Sequence, residues 1–401
     1  MSFLRAARAA LAGKNCLPRI LVAVAVILAG LSLSCGNSTH SNTGPNHNAY
    51  VSLPATGSVL LLHINGATGA ISKGAETPQV QDTTPRGLAL LPSKKFLYAV
   101  NSSTHANSIS IFSVASDGTL TLSGPPTPAS GSGPNAAVID PSGKYLLVTN
   151  TFGDPKNVAG SVSVYSIDAG SGALSEVPNS PFFANTGPSE ILITPSGKFV
   201  YVTNPGIGTV TAFTFSNGVL TEVKPGSPFT SGAGASGLVV DGSERFLYVA
   251  NPLASNLPLQ TNTGNISGFN IQPDGPNAGA LTPILGSPFT ATVGNNPTAI
   301  TVDPSGRFVY AVTPGSSFSI WCFSIGPTNG LLTAATNSPF SLGAGELFAL
   351  FDPSGNYFYI GSQSGNGIPG YTYNSSTGAL TVISGSPFST GTAPGKMALS
   401  E

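Results

Sequence analysis

The sequence predicts an all-β fold, a seven-bladed β-propeller with four antiparallel strands in each blade. Three observations lead to this prediction: short apolar runs between turn residues, a phrase that recurs about every 50 residues, and two chain ends that together supply one blade. Hydrophobic residues make up 40% of the 401 residues, and Gly (49) and Pro (34) divide them into short Val-, Ile-, Tyr- and Phe-rich runs. Such runs are typical of β-strands, and we find no helical periodicity after residue 35.

The recurring phrase marks a turn followed by the second strand of a blade. It occurs six times, for example at 140–150 (DPSGKYLLVTN) and 303–313 (DPSGRFVYAVT). Asp at the first position, Pro at the second and Gly at the fourth suit a type I turn, so the turn explains the repeated Asp without a bound ion. A strand precedes each turn, a third follows the phrase, and a fourth begins at Gly-x-Leu-Thr steps. Four antiparallel strands in about 40–60 residues indicate a propeller blade.

The two ends of the sequence predict how the ring closes. Residues 49–72 contain the later strands of a blade but lack its first strand. Residues 394–401 (PGKMALSE) match the first-strand segment 297–304 (PTAITVDP) of a later repeat. We therefore expect the C-terminal strand to complete the N-terminal blade, which gives seven first strands and seven second strands. A closed ring leaves no open sheet edge to pair with other chains.

The N-terminal segment is predicted to direct export. Residues 1–34 have the form of a signal peptide, because a basic stretch precedes the apolar run 20–33, which is shorter than the ~20 residues of a membrane-spanning helix. Residues 31–35 (LSLSC) resemble a bacterial lipobox, although Ser32 replaces the usual large apolar residue. We therefore expect lipidation of Cys35 and a lipid-anchored location at the cell envelope, either periplasmic or on the cell surface. The alternative is an ordinary signal peptide with a chance cysteine.

The next residues are predicted to form a flexible tether over 35–48, and the propeller is predicted to occupy 49–401. Residues 36–48 (GNSTHSNTGPNHN) are polar and almost uncharged, as in a flexible linker. His40 and His47 lie in this tether, so we expect neither to bind metal or to act in catalysis. Cys322 lies in an apolar run and is expected to be a small buried hydrophobic residue without a disulfide partner.

Composition argues against several classes of partner. The net charge is −1, and removal of residues 1–34 leaves 11 basic against 16 acidic residues, a net charge of −5. A thinly charged, slightly acidic surface gives nucleic acid no electrostatic footprint, so we expect no nucleic-acid binding. No His/Cys cluster or phosphate-binding motif is present, so we predict neither a metal nor a cofactor. We expect a monomer.

The strand of the recurring phrase also carries a family resemblance. The run Phe/Tyr-x-Tyr-Val-Thr-Asn, as at 199–204 (FVYVTN), resembles the YVTN repeat of the seven-bladed lactonase family, the 6-phosphogluconolactonase-like propellers. The resemblance covers 49–401 and implies the propeller fold. For function it implies a lactonase, a related cycloisomerase or an exported repeat protein of unknown role. Enzymatic members show Pro-Arg-His at the start of a first strand, whereas this chain has Pro85-Arg86-Gly87, so only Arg86 is carried over.

Candidate site residues come from the loops that should share the ligand face of a propeller, those entering first strands and those joining second to third strands. The ionisable residues predicted there are Asp82, Arg86, His105, Asp154, Lys156, Glu190, Glu346 and Lys396. Lactone hydrolysis needs a base to activate water and donors to stabilise the oxyanion. His105 or Glu190 would be the base, and Arg86 would hold the oxyanion or a substrate carboxylate. The alternative is that these are solvated loop residues, with Arg86 paired to a loop acid.

Two functions therefore remain open, and we favour the first. The first is a binding or scaffold module of the cell envelope that holds a small ligand, a glycan or a protein on its loop face. The second is a lactone hydrolase or a related cycloisomerase. Convergence of Arg86, His105 and Glu190 on one pocket would favour the enzyme. A repeated Ser-Pro-Phe step has two interpretations as well, an aromatic binding ring or Phe side chains packed between blades, and we favour packing.

Overall fold

The fold was analysed in a computed structural model of the chain. The structure describes residues 46–79, 84–103, 107–154, 159–253, 264–289, 296–313, 319–336, 338–341, 346–362 and 365–400. These residues form β-strands and turns without a helix. No stretch among them forms a helix of the length and apolarity needed to cross a membrane. The all-β prediction is confirmed.

The strands form seven antiparallel sheets, one for each blade. Blade 1 contains β1 (His47–Leu53), β2 (Ser58–Ile64) and β3 (Ile71–Glu76). Blade 2 contains β4 (Pro85–Leu90), β5 (Phe96–Ser102), β6 (Asn107–Val114), β7 (Leu120–Leu122) and β8 (Thr127–Pro128). Blade 3 contains β9 (Pro134–Ile139), β10 (Tyr145–Asn150), β11 (Ser161–Ile167), β12 (Leu174–Glu176) and β13 (Phe182–Phe183). Blade 4 contains β14 (Ile191–Ile193), β15 (Phe199–Asn204), β16 (Thr209–Ser216), β17 (Val219–Glu222) and β18 (Phe229–Thr230).

The remaining blades follow the same order. Blade 5 contains β19 (Gly237–Val240), β20 (Phe246–Asn251), β21 (Asn265–Ile271) and β22 (Leu281–Pro283). Blade 6 contains β23 (Ala299–Val302), β24 (Phe308–Thr313), β25 (Ser319–Ile325), β26 (Leu332–Ala334) and β27 (Phe340–Ser341). Blade 7 contains β28 (Glu346–Phe351), β29 (Tyr357–Ser362), β30 (Gly367–Ile368), β31 (Gly370–Tyr373), β32 (Leu380–Val382) and β33 (Phe388–Ser389). Finally, β34 (Met397–Leu399) joins blade 1.

The ring closes as the sequence predicts. Strand β34 pairs with β1, Met397 lying opposite Val51 and Leu399 opposite Ala49. It is the inner strand of blade 1, equivalent to β4, β9, β14, β19, β23 and β28 in the other blades. The seven-bladed architecture with a shared first blade is therefore confirmed. One boundary differs, because β1 begins at His47, which pairs with Ile64. The ring of His47 lies 3.6 Å from the buried Asp352 carboxylate, so the predicted tether over 35–48 is two residues too long.

The hydrophobic core consists of seven apolar clusters, one at each junction between neighbouring blades. The cluster between blades 2 and 3, for example, contains Tyr98 and Val100 from one blade and Leu146 and Val148 from the next. The cluster between blades 7 and 1 includes Met397. The repeated Phe of Ser-Pro-Phe contributes to these clusters, since Phe182, Phe229, Phe289, Phe340 and Phe388 each pack against one. The packing interpretation of Ser-Pro-Phe is confirmed.

A ring of buried tyrosine hydroxyls ties the blades together. At six of the seven junctions, a second-strand Tyr donates a hydrogen bond to a glycine carbonyl in the turn between the third and fourth strands of the next blade. The pairs are Tyr50–Gly118, Tyr98–Gly172, Tyr201–Gly279, Tyr248–Gly330, Tyr310–Gly378 and Tyr359–Gly69, at 2.7–3.0 Å. At the junction of blades 3 and 4, Leu147 replaces the tyrosine, so this hydrogen bond is not formed, although the ring of Tyr145 packs against Gly218 as Phe96 packs against Gly172.

The repeated Asp closes its turn with backbone hydrogen bonds. Oδ1 of Asp140 accepts the N–H groups of Lys144 and Tyr145 at 2.8 and 2.6 Å, and Asp241, Asp303 and Asp352 act in the same way. Blade 4 has Thr194 at this position. There Glu244 of blade 5 accepts the hydrogen bonds of the Ser196 N–H and hydroxyl groups, so a neighbouring blade supplies the missing carboxylate. Glu244 lies in the left-handed region, with φ 56°, at the position where four of the other turns have Gly and the turn of blade 2 has Lys94, with φ 59°.

Cys322 is a free, fully buried cysteine, as predicted. Burial raises the pKa of its thiol to about 11, which keeps it protonated and unreactive at neutral pH.

Removal of residues 394–401 is expected to destabilise the protein strongly. The deletion removes the pairing of β34 with β1 and the backbone hydrogen bonds of Ser52 and Gly395, and it exposes the cluster that Met397 covers. Each hydrogen bond contributes about 1 kcal/mol, against a typical total of about 5–15 kcal/mol. Thermal unfolding would measure the loss. The full-length Lys396→Met variant, which retains the strand, should keep most of the stability. Equal melting of the truncated and full-length proteins would contradict the closure.

The tyrosine ring predicts loss of stability at alkaline pH. Burial raises the pKa of Tyr50 to about 12, and burial also raises the pKa values of Tyr98, Tyr201, Tyr248, Tyr310 and Tyr359. The pKa of a tyrosine in an unfolded chain is about 10. The contribution of Tyr50 to stability is therefore complete below pH 10 and declines as the pH rises towards 12.

Absorbance of the phenolate, followed together with circular dichroism, would measure this effect. We expect these tyrosines to ionise only as the β-structure unfolds, above their ordinary pKa. In Tyr50→Phe, the number of tyrosines that ionise late should fall by one. Ionisation of all tyrosines near pH 10 with the β-structure intact would show that the hydroxyls are not buried at the junctions.

Candidate functional site

Two consecutive residues occupy the start of each inner strand, at one end of the axial channel, and we call them the mouth pairs. The second residue of each pair lies opposite the penultimate residue of the phrase in the second strand, as Gly87 lies opposite Val100 and Gly237 opposite Ala250. The mouth pairs are Arg86–Gly87, Asn135–Ala136, Ser189–Glu190, Ser236–Gly237, Thr298–Ala299, Leu347–Phe348 and Gly395–Lys396. Their ionisable members are Arg86, Glu190 and Lys396.

The loops that join second to third strands lie on the same face as the mouth pairs. In blade 3, the N–H of Phe152 donates to the carbonyl of Ser132, in the loop that leads into β9, at 3.0 Å. In blade 5, the N–H of Leu253 donates to the carbonyl of Ala233, in the loop that leads into β19, at 3.1 Å. The predicted common face of these two sets of loops is confirmed for these blades.

An ion pair crosses the channel at this mouth. Nζ of Lys396 lies 2.6 Å from Oε1 of Glu190. Lys396 belongs to the inner strand of blade 1 and Glu190 to that of blade 4. Among the described residues, inner strands make their main contacts with those of adjacent blades, as β34 does with β4, β4 with β9 and β9 with β14. Because blades 1 and 4 are three steps apart, their side chains meet only by reaching across the channel. Both side chains remain partly exposed, Lys396 at 33% and Glu190 at 26%.

The backbone of each blade holds one partner of the ion pair in place. The N–H of Glu190 donates to the hydroxyl of Thr203 at 3.0 Å, and its carbonyl accepts the N–H of Thr203. Likewise, the N–H of Lys396 donates to the hydroxyl of Ser52 at 2.8 Å, and its carbonyl accepts the N–H of Ser52. A second-strand hydroxyl therefore fixes each residue at the same position of its blade.

Neutral residues of the mouth pairs form hydrogen bonds around the channel mouth. The amide of Asn135 donates to the hydroxyl of Ser189 at 3.2 Å, which links blade 3 to blade 4 beside Glu190. The hydroxyl of Ser236 donates to the carbonyl of Thr298 at 3.0 Å, which links blades 5 and 6. These bonds join adjacent inner strands and hold the mouth residues in a fixed arrangement.

Arg86 lies at the mouth without a partner in the described part of the chain. It occupies an irregularity in the pairing of β4 with β5, between Pro85 and Gly87, and its side chain is exposed. Hydrogen bonds and ion pairs to Arg86 are absent among the described residues, so the alternative of pairing to a loop acid has no support there. Gly87, at the position of the family His, has no room for a side chain. A Cβ would lie 2.9 Å from the carbonyl oxygen of Asn135.

The structure brings together only part of the predicted site. Arg86 and Glu190 both belong to mouth pairs, but Glu190 pairs with Lys396. His105, the other candidate base, lies outside the described residues, as do Asp82 and Lys156 and the lipidation candidate Cys35. The sequence analysis places Lys396 among the loop residues and assigns it no role. Its role could have been found from the match of residues 394–401 to the segments that begin the other inner strands.

The ion pair can bind and polarise a carbonyl compound at the mouth where Arg86 also lies. None of the described residues donates a hydrogen bond to Oε2 of Glu190, so this oxygen can accept one from water. The Lys396 ammonium uses one N–H in the ion pair and retains two further donors. A carboxylate that accepts a proton from water, next to ammonium and guanidinium donors, meets the needs of ester hydrolysis.

Other parts of the described structure offer less chemistry. Two clefts of about 470 and 480 Å³ lie on the opposite face, beside the turns between first and second strands. His63 lines the first cleft, and its Nδ1 already contacts Oδ1 of Asn48 at 2.9 Å. Over the described ranges, no three His, Cys, Asp or Glu side chains are grouped as metal ligands.

Comparison with known proteins decides the family. Residues 48–393 match the family model described as lactonase, 7-bladed β-propeller. The chain belongs to the seven-bladed β-propeller lactonase family. A curated 6-phosphogluconolactonase of Formosa agariphila is 39% identical over 88 residues, which are 22% of this chain and 23% of that protein. The matched segment thus spans less than a quarter of this relative.

Solved structures share the fold of this lactonase-family chain. A Bacteroides uniformis protein provisionally assigned as a 6-phosphogluconolactonase aligns with a TM-score of 0.72 and 19% identity, over 88% of this chain and 99% of that one. The periplasmic gluconolactonase of Pseudomonas aeruginosa aligns with a TM-score of 0.66 and 16% identity, over 89% and 99%. At these identities, the likeness describes the fold.

Proposed function

We propose that this chain hydrolyses a lactone at the mouth of its axial channel. The observation that carries the proposal is the Glu190–Lys396 ion pair, which places a carboxylate and an ammonium group together at the mouth that Arg86 also lines. Membership of the lactonase family and the names of its relatives support the same reaction. This proposal replaces the binding module that we favoured from the sequence alone.

The proposed mechanism is a direct attack by water. Glu190 accepts a proton from water through Oε2, and the water oxygen bonds to the carbonyl carbon of the lactone. Lys396 and Arg86 donate hydrogen bonds to the oxyanion that forms. When the intermediate collapses, the bond between the carbonyl carbon and the ring oxygen breaks. Protonated Glu190 returns its proton to the departing alkoxide, and the product is an open-chain hydroxy acid.

A binding role keeps one specific observation in its favour. The family His position is Gly87, and the backbone of blade 3 leaves no room for a side chain there. If the chemistry depended on that histidine, the mouth would bind a ligand on its loop face without hydrolysing it. The activity of Glu190 variants separates the two functions.

Replacement of Glu190 by Gln is expected to lower kcat/KM for lactones about 100-fold, because the amide cannot accept the proton of water. Lys396→Met should cause a loss of similar size through the missing oxyanion donor. Hydrolysis would be followed by proton release on δ-gluconolactone, γ-butyrolactone and γ-octalactone.

The matched control is Glu222→Gln. Glu222 pairs with Lys224 at 3.0 Å at the outer edge of blade 4, so this variant also breaks a Glu–Lys pair but leaves the channel mouth intact. We expect it to retain full turnover. Hydrolysis no faster than in buffer for all three lactones, or full activity in Glu190→Gln, would contradict the proposed function.

We also propose that Cys35 carries a lipid that anchors the protein at the cell envelope. The support is the sequence LSLSC at 31–35, which follows a basic and then an apolar stretch. Labelled palmitate supplied to expressing cells should be incorporated into the protein, and Cys35→Ser should abolish incorporation. Cys16→Ser, which alters a cysteine within the predicted signal peptide, should retain the label. A wild-type protein without label, or a labelled Cys35→Ser variant, would contradict lipidation.

A further inference from the structure

Three exposed apolar side chains stand on the same face as the mouth pairs, at equivalent loops of three consecutive blades. We call Phe152, Ile207 and Leu253 the apolar rim. They follow the second strands of blades 3, 4 and 5, and they are 71%, 40% and 52% exposed. Large apolar side chains grouped on a surface mark a binding site more often than isolated ones do.

Two loops of the apolar rim are joined by hydrogen bonds to the segment of Glu190. The hydroxyl of Thr151, the residue before Phe152, donates to the carbonyl of Pro188 at 3.1 Å, two residues before Glu190. On the other side, Thr203 binds Glu190 through its backbone and hydroxyl groups, and Ile207 follows four residues later in the tight turn of the same blade. Phe152 and Ile207 therefore belong to loops of blades 3 and 4 that adjoin the segment of the proposed base.

Two rim side chains, those of Phe152 and Leu253, lie over the loops that lead into the inner strands. The ring of Phe152 covers Gly133, where a Cβ would lie 2.4 Å from Cδ2 of the ring. Leu253 covers Gly234 in blade 5, where a Cβ would lie 3.3 Å from its Cγ. These glycines have φ of 65° and 78°, in the left-handed region that favours Gly. Glycine thus leaves room for Phe152 and Leu253 to pack against these loops.

The mouth therefore has a cationic side and an apolar side. Lys396 and Arg86 come from the adjacent blades 1 and 2, whereas the apolar rim comes from blades 3 to 5, and Glu190 lies next to it. A carbonyl held between Glu190 and the two cations would place any ring substituent that points towards blades 3 to 5 against Phe152 and Ile207. An apolar substituent gains free energy on such a surface, whereas a hydroxylated one loses hydrogen bonds to water.

We propose that the apolar rim binds an alkyl or aryl substituent of the substrate, so that this chain acts on apolar-substituted lactones. The proposal rests on the proposed function, and it names the substrate class for the same site. It assigns Phe152 and Ile207 as specificity residues that contact the substituent, while the reacting atoms remain with Glu190, Lys396 and Arg86.

The test compares γ-octalactone, which carries a butyl group, with unsubstituted γ-butyrolactone. We expect the wild-type protein to prefer γ-octalactone about tenfold or more in kcat/KM. Phe152→Ser and Ile207→Ser should each reduce this preference several-fold, mainly by lowering kcat/KM for γ-octalactone. The matched control is Leu285→Ser, because Leu285 is the most exposed large apolar side chain of the described residues, at 93%, but follows the outer strand β22. It should keep the preference.

A binding measurement separates this inference from the proposed function. The lactam analogues of both compounds, in which N–H replaces the ring oxygen, resist hydrolysis, and their Kd values are measured by calorimetry. Tighter binding of the butyl lactam that Phe152→Ser abolishes supports the apolar rim even if no lactone is hydrolysed, in which case only the proposed function fails.

Two results would overturn the inference. The first is hydrolysis of both lactones at equal kcat/KM, which would leave the proposed function intact. The second is equal or absent binding of the two lactams together with no preference in turnover. The apolar rim would then be a surface for a larger partner and not a substrate pocket.

Discussion

The structure depends on one constraint, which is that a propeller blade cannot bury its own apolar faces. Each of the seven apolar clusters takes side chains from two neighbouring blades, and buried tyrosine hydroxyls donate across six of the seven junctions. Every blade therefore needs both neighbours, and a gap anywhere would expose two apolar faces. The pairing of β34 with β1 satisfies this requirement at the place where the ring would otherwise be open.

The strand that closes the ring also completes the candidate site. Strand β34 carries Met397 into the cluster between blades 7 and 1, and the preceding residue, Lys396, reaches Glu190 across the channel. The carboxylate of blade 4 therefore meets its cation only when the last strand is in place. A site built in this way is absent from any incompletely closed ring, so the folding of the final strand also completes the proposed chemistry.

Most of the fold could be predicted from the sequence, because local turn chemistry and strand length recur in every blade. Asp140 and its equivalents form the turns that their Asp-Pro-Ser-Gly pattern predicts, and the match of 394–401 to other inner strands predicts the closure. The side-chain contact across the channel could not be predicted. Glu190 and Lys396 are 206 residues apart. They meet only because blades 1 and 4 face each other across the channel. The composition of a loop does not reveal which residues of other blades lie opposite it.

The equivalence of the seven inner strands also explains how the site can differ from the family pattern. Gly87 occupies the position of the family His, and the adjacent Asn135 carbonyl excludes a side chain there. Lys396 and Glu190 occupy the same position in blades 1 and 4, where the backbone leaves room and a second-strand hydroxyl fixes each residue. The meeting of Glu190 and Lys396 shows that ionisable groups at this position in different blades can reach the same space, where the backbone leaves room for a side chain. The site therefore requires a suitable set of ionisable groups around the ring, and different blades can supply each group.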